Sequence, residues 1–324
     1  MSTLDKIQAP IANEMEEFEN YFRKAMKSDK ALLDKITHYI IKRKGKQMRP
    51  MFVFLSSKLC GGITPATYVA ASLIELLHTA TLVHDDVVDN ANLRRGFFSV
   101  NALWKNKIAV LVGDYLLSQG LLMSVENNQY ELLRIVSRAV KEMSEGELLQ
   151  QEKSRLLNIT EEIYYEIIRQ KTASLIAACC QSGASAAGCT PEVALSMHTF
   201  GTNAGLAFQI KDDLFDYGFG QSIGKPTGID LQERKMTLPL IYTLQKTDRS
   251  TRSLLVNIVK RHNTSAAHIK TLVSTVVEHG GIDYATKKME EFRDMALQSL
   301  HNFPQSDARN SLEQLVHYTI DRKK

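Results

Sequence analysis

The sequence is short of several things, and each shortage removes a class of function. Four cysteines occur in 324 residues, Cys60, Cys179, Cys180 and Cys189. Their spacing gives neither a metal-ligand pattern nor a disulfide framework, so free thiols in a reducing cytoplasm are expected. The Cys179-Cys180 pair sits in the small, apolar run SLIAACC and reads as helix packing. No uninterrupted apolar run reaches the roughly 20 residues that a membrane-spanning helix needs. The start, MSTLDKIQAPIANEMEEFE, is acidic and lacks the apolar centre of a signal peptide. Net charge is only +4. No basic stripe is interleaved with aromatics, which argues against nucleic acid. The runs KRKGK at 42–46 and RKK at 322–324 are short and read as solvated ends.

Strand-like alternation and Gly/Ser linkers are also missing. What remains is helical periodicity, with seven prolines placed mostly where helices begin or end. The pattern predicts an all-α chain forming one domain over 1–324. Helices are expected near 11–28, 31–43, 50–60, 66–91, 107–126, 129–155, 161–187, 191–217, 238–247, 251–262, 266–279, 283–302 and 307–320. Between them the longest irregular stretch is YGFGQSIGKPTGIDLQERK, 217–235. It is too long for a plain connection and reads as a functional loop. Gly201 and Gly205 are one turn apart and predict close helix packing.

Against this background two stretches stand out, LVHDDVVDN at 82–90 and QIKDDLFDY at 209–217. Each puts three aspartates at the end of a long apolar segment: Asp85, Asp86 and Asp89, then Asp212, Asp213 and Asp216. Each segment opens on Thr-Pro, an N-cap followed by a first-turn proline, at Thr64-Pro65 and Thr190-Pro191. Two matched helices of about 25 residues follow, each over roughly 30 Å long. They could face each other across a deep bundle interior. On a helix, acids at i, i+1 and i+4 fall at about 0°, 100° and 40°. Such crowding costs repulsion, and a helix C-terminus already carries partial negative charge. A hard divalent cation offsets both; magnesium takes a few carboxylates together with substrate phosphates.

The face above the first motif turns apolar with depth. Measured from Asp85, His78 lies at about +20°, Ile74 at −20°, Thr81 at −40°, Leu77 at −80° and Ala80 at −140°. A charged head at the mouth and a hydrocarbon tail inside would fit it. His84, at about −100°, points away from Asp85 and reads as a core or supporting histidine. Glu75-x-x-His78 matches half of a di-iron pattern, which needs a second pair that the chain lacks. Cations follow the same order along the chain: Lys46 and Arg49, Arg94 and Arg95, Lys171 beside Thr172, then Lys225 and Lys235. Together with six acids they suggest anchors for two phosphorylated substrates.

In this order the motifs GKQMRP (45–50), HTATLVHDDVVDNANLRRG (78–96), GD (113–114), KT (171–172), FQIKDDLFD (208–216), GKPTGID (224–230) and KMTLP (235–239) resemble the trans-prenyl diphosphate synthases of the polyprenyl synthetase family. The resemblance implies the type I isoprenoid synthase fold, a single bundle of long helices around a deep central cavity. It implies that Asp85 and Asp89, with Asp86 supporting, bind two Mg²⁺ ions. Asp212, with Asp213 and Asp216, would hold a third. Lys171, Thr172, Gln209, Lys225, Lys235 and Arg94 would contact the allylic diphosphate or its metals, and Lys171, Thr172, Gln209 and Lys235 are the catalytic set. Lys46, Arg49, His78 and Arg95 would bind isopentenyl diphosphate. The allylic primer would be of farnesyl or geranyl type. A homodimer is implied, and a helix such as 107–126 could serve its interface. A very hydrophobic product suggests at most transient membrane contact.

Short-chain members place bulky aromatics four or five residues before the first motif. Here those positions are Thr81 and Ala80, so the resemblance points to a long all-trans product, best read as octaprenyl diphosphate for a quinone side chain. Ile74, Leu77, Ala80, Thr81 and Val136 form the expected chain-length pocket. Two rival readings remain. A class I terpene cyclase would replace the second aspartate motif and would not need GKQMRP. A catalytically silent prenyl-binding subunit would lack acids from one or both motifs, whereas all six are present.

Overall fold

The sequence's 3.6-residue periodicity is realised almost throughout. The computed structural model describes residues 2–43, 45–94, 96–218 and 228–321. Arg95 and Lys225, both expected at diphosphate groups, lie outside the described residues. In chain order the elements are α1 (Thr3–Gln8), α2 (Ala12–Ala25), α3 (Ala31–Ile41), α4 (Met48–Cys60), α5 (Pro65–Val88), β1 (Leu93–Arg94), β2 (Phe97–Phe98), α6 (Val100–Glu126), α7 (Tyr130–Leu156), α8 (Glu161–Ile168), a π-helical turn (Arg169–Ala173), α9 (Ser174–Ala186), α10 (Pro191–Phe215), α11 (Ile229–Gln232), α12 (Leu238–Lys246), α13 (Arg249–Arg261), α14 (Ala266–Glu278), α15 (Gly281–Leu300) and α16 (Asp307–Asp321). The chain divides into two compact units. One comprises 1–140, 178–198 and 303–312; the other comprises 141–177, 199–302 and 313–324.

The first unit is organised around α5 and α6. Helix α5 starts where Thr64-Pro65 predicts: the Thr64 amide donates to Thr67 Oγ1 at 3.0 Å, and Pro65 is the first helical residue. A proline costs nothing there, because the first-turn N–H groups have no helical acceptor. Leu76, Ala80 and Val83 pack with Ala109, Val112 and Leu116, and Met26 and Ile36 join the same cluster. Full burial of a leucine- or methionine-sized side chain contributes about 1.5–3 kcal/mol. His84 turns to α6, its Nε2 3.2 Å from the Val110 carbonyl and 3.5 Å from Asp114. That is the direction its helical angle predicts.

The second unit packs α12 against α15 through Tyr242 and Tyr284, stacked at 4.1 Å. Tyr284 and Tyr165 each donate to Glu161 Oε1 at 2.8 Å, which ties α8 to α15. Cys179 and Cys180 of α9, which belong to the first unit, are fully buried, as helix-packing residues should be.

Several sequence expectations change. An N-terminal helix, α1, forms on a capping box in which Ser2 Oγ accepts from Asp5 N and Asp5 accepts from Ser2 N. An aspartate replaces the usual glutamate or glutamine there, so the signal is easy to miss. Helix α6 begins at Val100, not 107, and carries a non-helical residue, Lys105 (φ 72°, ψ 159°). The polar KNK segment around that break hides the earlier start. The 161–187 segment is not one α-helix, because the π-turn interrupts it. The 217–235 stretch contains the short α11. Finally, α5 and α6 are each long and apolar enough, by length and composition, to cross a bilayer. The most apolar window of α5 is mostly buried, but only 33% of that of α6 is. Val110, Leu111, Leu117, Leu121, Leu122 and Val125 remain as an exposed apolar stripe on α6.

Candidate active site

Both aspartate motifs sit where a helix runs out. Helix α5 ends at Val88 and α10 at Phe215, so Asp89 and Asp216 lie just beyond. The three acids of a motif therefore do not share one environment. Asp85 and Asp89 are exposed, while Asp86 is only 2% exposed. The β-ribbon returns Arg94 to Asp86, with Nε and a terminal nitrogen both 2.7 Å from Oδ1. Charge-assisted bonds of this kind are among the stronger ones, and a buried carboxylate left without its partner costs several kcal/mol. The Asp86 carbonyl also accepts from the Asn101 side chain at 3.1 Å.

The second motif also buries its middle acid, with other partners, and buries its third acid as well. Asp212 is half-buried, while Asp213 and Asp216 are buried. Asp213 accepts from Tyr164 Oη at 2.8 Å and from Gln209 Nε2 at 2.9 Å. Burial, then the charge of Asp230, push the Asp213 carboxyl up to about 7, against the opposite pull of Gln209 and Tyr164. Asp216 accepts the backbone N–H of Ile229 at 2.7 Å and of Leu231 at 3.4 Å. It thus satisfies free N–H groups at the start of α11. Burial and Asp230 raise its pKa as well.

Lys171 and Thr172 lie in the π-turn. Such turns insert an extra residue into a helix and occur often at functional sites. Two glycines let neighbouring helices close on it. A Cβ on Gly205 of α10 would stand 2.5 Å from Ala173 Cα, and one on Gly146 of α7 would stand 2.7 Å from Gln170 Cβ. Both Gly205 and Gly201 are the close-packing glycines that their one-turn spacing predicts; a Cβ on Gly201 would meet Ala177 Cα at 2.6 Å. This contact aligns Gln209, one turn beyond Gly205, with the turn: Thr172 Oγ1 donates to Gln209 Oε1 at 2.7 Å. A chain of bonds then runs Thr172–Gln209–Asp213–Tyr164. It borders a cavity of about 170 Å³ lined also by Lys171, Lys235, Asp230 and Gln150.

The cavity's cations are held by acids. Lys171 pairs with Glu147 at 2.5 Å, and Lys235 with Asp230 at 3.2 Å and Glu233 at 2.5 Å. Burial opposes the Lys235 charge, yet Asp230 and Glu233 keep its pKa above the ordinary value. Burial likewise opposes Glu147, and Lys171 outweighs it, so that carboxylate titrates below its usual range.

In the first unit, Lys46 is exposed beside α4 and Arg49 lies 3.7 Å from Glu75. Glu75 is therefore the ion-pair partner of Arg49. His78 is buried. Of the expected pocket residues Ile74, Leu77, Ala80 and Val136 are buried, with Ala80 inside the α5–α6 cluster. Thr81 is half-buried and bonds the His78 carbonyl at 2.8 Å.

Residues 30–276 match the model of the family described as Polyprenyl synthetase. The chain belongs to the polyprenyl synthetase family. As a member it is a prenyltransferase with the all-α isoprenoid synthase fold. It is similar to an all-trans-nonaprenyl-diphosphate synthase (geranyl-diphosphate specific) of Rhodobacter capsulatus, 37% identical over 98% of this chain and 97% of that one. An octaprenyl diphosphate synthase of Escherichia coli is 34% identical over 98% and 99%. Among solved structures, a decaprenyl diphosphate synthase from Rhodobacter capsulatus has a TM-score of 0.93 at 32% identity, covering 99% of both chains. A geranylgeranyl pyrophosphate synthase from Bacteroides thetaiotaomicron has a TM-score of 0.84 at 38% identity, covering 99% of this chain and 100% of that one. Family membership is thus compatible with both long and short products.

Five residues of this polyprenyl synthetase family member escaped the sequence reading: Tyr164, Glu147, Asp230, Glu233 and, as an arginine partner, Glu75. Asp230 ends the GKPTGID motif but carried no assigned role, and the other four are single residues without a motif of their own. The fold brings Tyr164, Glu147 and Glu75 to the motif residues, while Asp230 and Glu233 reach Lys235 from within the same stretch of chain.

A pH signature follows from Asp213. Its folded-state pKa is raised, so the folded chain binds the proton more tightly than the unfolded chain does. Its contribution to stability therefore falls as pH rises from about 4 to about 7. Asp213→Asn removes that penalty. In EDTA the variant should gain roughly 1–3 kcal/mol over the parent at pH 8 and little at pH 4. Urea unfolding at the two pH values measures this, and an equal effect at both would refute the assignment.

Proposed function

We propose that this protein is a long-chain all-trans polyprenyl diphosphate synthase. It would condense isopentenyl diphosphate 1′-4 onto a farnesyl- or geranyl-type allylic diphosphate, repeatedly, with octaprenyl diphosphate as product. The observation that carries this is the set of groups around the π-turn. Lys171 and Lys235 place two ammonium groups at one cavity, and the Thr172–Gln209–Asp213–Tyr164 chain fixes its polar wall.

The exposed acids fit magnesium by their chemistry. Asp85 and Asp89 offer only oxygen donors four residues apart, with Asp212 partly accessible in the other motif. Asp86, Asp213 and Asp216 are buried, whereas Asp85 and Asp89 are exposed and Asp212 is half-buried, so by accessibility Asp85, Asp89 and Asp212 would be the principal ligands. When bound, Mg²⁺ supplies positive charge that favours departure of pyrophosphate. The chain's own share is positioning and charge. Lys171 and Lys235 would hold the allylic diphosphate and stabilise the negative charge that develops on its leaving oxygen. Lys46, Arg49 and His78 would hold isopentenyl diphosphate, with Arg49 aimed by Glu75. Its double bond attacks the allylic carbon, and C2 of the new unit loses a proton to the departed pyrophosphate. Arg94, held by Asp86, would keep the β-ribbon beside the first motif.

Two features support further detail. Thr81 lies on the Asp85 side of α5 and is half-buried, so a larger side chain there would intrude on a growing product. Ala80 is the less clean choice, because bulk there also overpacks the α5–α6 cluster, at about 1–3 kcal/mol. The apolar stripe on α6 would serve a homodimer.

Purified protein given labelled isopentenyl diphosphate, farnesyl diphosphate and Mg²⁺ should yield a ladder ending at one long product, and none in EDTA. Lys171→Ala should lower kcat/KM about 10²–10³-fold. No elongation from any allylic primer would leave the silent-subunit reading. Thr81→Phe should end the ladder several isoprene units earlier; an unchanged product would remove Thr81 from the pocket. Leu117→Glu with Leu121→Glu should convert a dimer to monomer in light scattering, and a dimer that persists would place the interface elsewhere.

A further inference from the structure

The mild net charge conceals a strong local one. Residues 35–49 and 90–113 together contain ten of the 40 lysines and arginines and none of the 36 acids, so the remainder of the chain is net negative. In sequence the two stretches are separated by about 40 residues. In the first unit they meet. Tyr39 of α3 donates to the Phe98 carbonyl of β2 at 2.6 Å and sets its ring edge-on to Trp104 of α6, centroids 5.1 Å apart. The Arg43 guanidinium lies 3.4 Å from the Tyr39 ring centroid and 4.7 Å from that of Phe97. The ribbon, the end of α3 and the start of α6 are thereby fixed as one corner.

That corner is unusual in what it exposes. Lys35, Lys42, Lys105 and Lys107 are exposed. So are large apolar side chains: Leu93 at 61%, Phe97 at 49% and Phe98 at 59%. Substrate chemistry accounts for Lys46, Arg49, Arg94 and Arg95, but not for these four lysines or for two aromatic rings in water. We propose that the corner formed by α3, the β-ribbon and the start of α6 docks the protein on an anionic lipid bilayer. Exposed aromatics insert at the boundary between headgroups and chains, and lysines nearby are drawn to the negative surface. Opposite charge together with exposed apolar rings fits a bilayer better than either feature alone fits a soluble anion. The inference does not depend on product length, and its test needs no catalysis.

The full-length protein is pelleted with vesicles of phosphatidylcholine, or of phosphatidylcholine with about one-third phosphatidylglycerol, without substrate. Binding is expected only to the anionic vesicles and should weaken at high salt. Lys35→Glu with Lys42→Glu and Lys107→Glu should reduce partitioning at least about tenfold. Phe98→Ser, whose backbone carbonyl still accepts from Tyr39, should reduce it about threefold or more. Both variants should keep parental activity on a soluble short-chain primer. Equal binding to the two vesicle types, no binding, or full binding by both variants would overturn the proposal. A changed oligomeric state with unchanged partitioning would make the corner an interface between copies. Transfer RNA bound as tightly as vesicles, and lost in the same charge variants, would make it a nucleic-acid surface.

Discussion

The physical constraint on which the rest depends is the crowding of carboxylates at the ends of two long helices. A helix C-terminus carries partial negative charge, and α5 and α10 each add three aspartates there. The chain does not leave the problem to solvent. It buries the middle acid of each motif and gives it a dedicated donor set, Arg94 for Asp86 and Tyr164 with Gln209 for Asp213. The remaining conflict falls on Asp85, Asp89 and Asp212, the acids still accessible. Burial of one acid thus decides which of its neighbours is available to a cation. The two motifs look alike in sequence and part company at their third acid, exposed at Asp89 but bonded to the start of α11 at Asp216.

The same exchange of partners extends to the cations. Lys171 and Lys235 line a cavity with Glu147, Asp230 and Glu233 holding them. Such pairs offset part of the cost of burying the ammonium groups and fix where they point. A diphosphate entering the cavity would meet groups already oriented, which lowers the entropic cost of arranging them.

Much of this was legible before the fold was known, and the limits are physical. Long helices with a Thr-Pro start were readable because both the cap and the apolar period are local. The motif acids and cations were readable because they cluster in sequence. The π-turn was not, since one extra residue in a helix leaves no trace in apolar periodicity over so short a span. The start of α6 was hidden by the polar break at Lys105. Tyr164, Glu147 and Glu75 were invisible as site residues because their importance arises from partners that are distant in the chain. The basic corner was invisible for a related reason: its lysines and rings lie in two segments far apart in the chain, 35–49 and 90–113.

The π-turn carries one more consequence. An inserted residue rotates everything after it by about 100° relative to a continuous α-helix. Helices α8 and α9 are therefore out of phase with each other. Deleting the bulge would relieve a local irregularity but would rephase the thirteen residues of α9, including Cys179 and Cys180, which are wholly buried. The turn that presents Lys171 and Thr172 thus also sets the phase at which α9 begins.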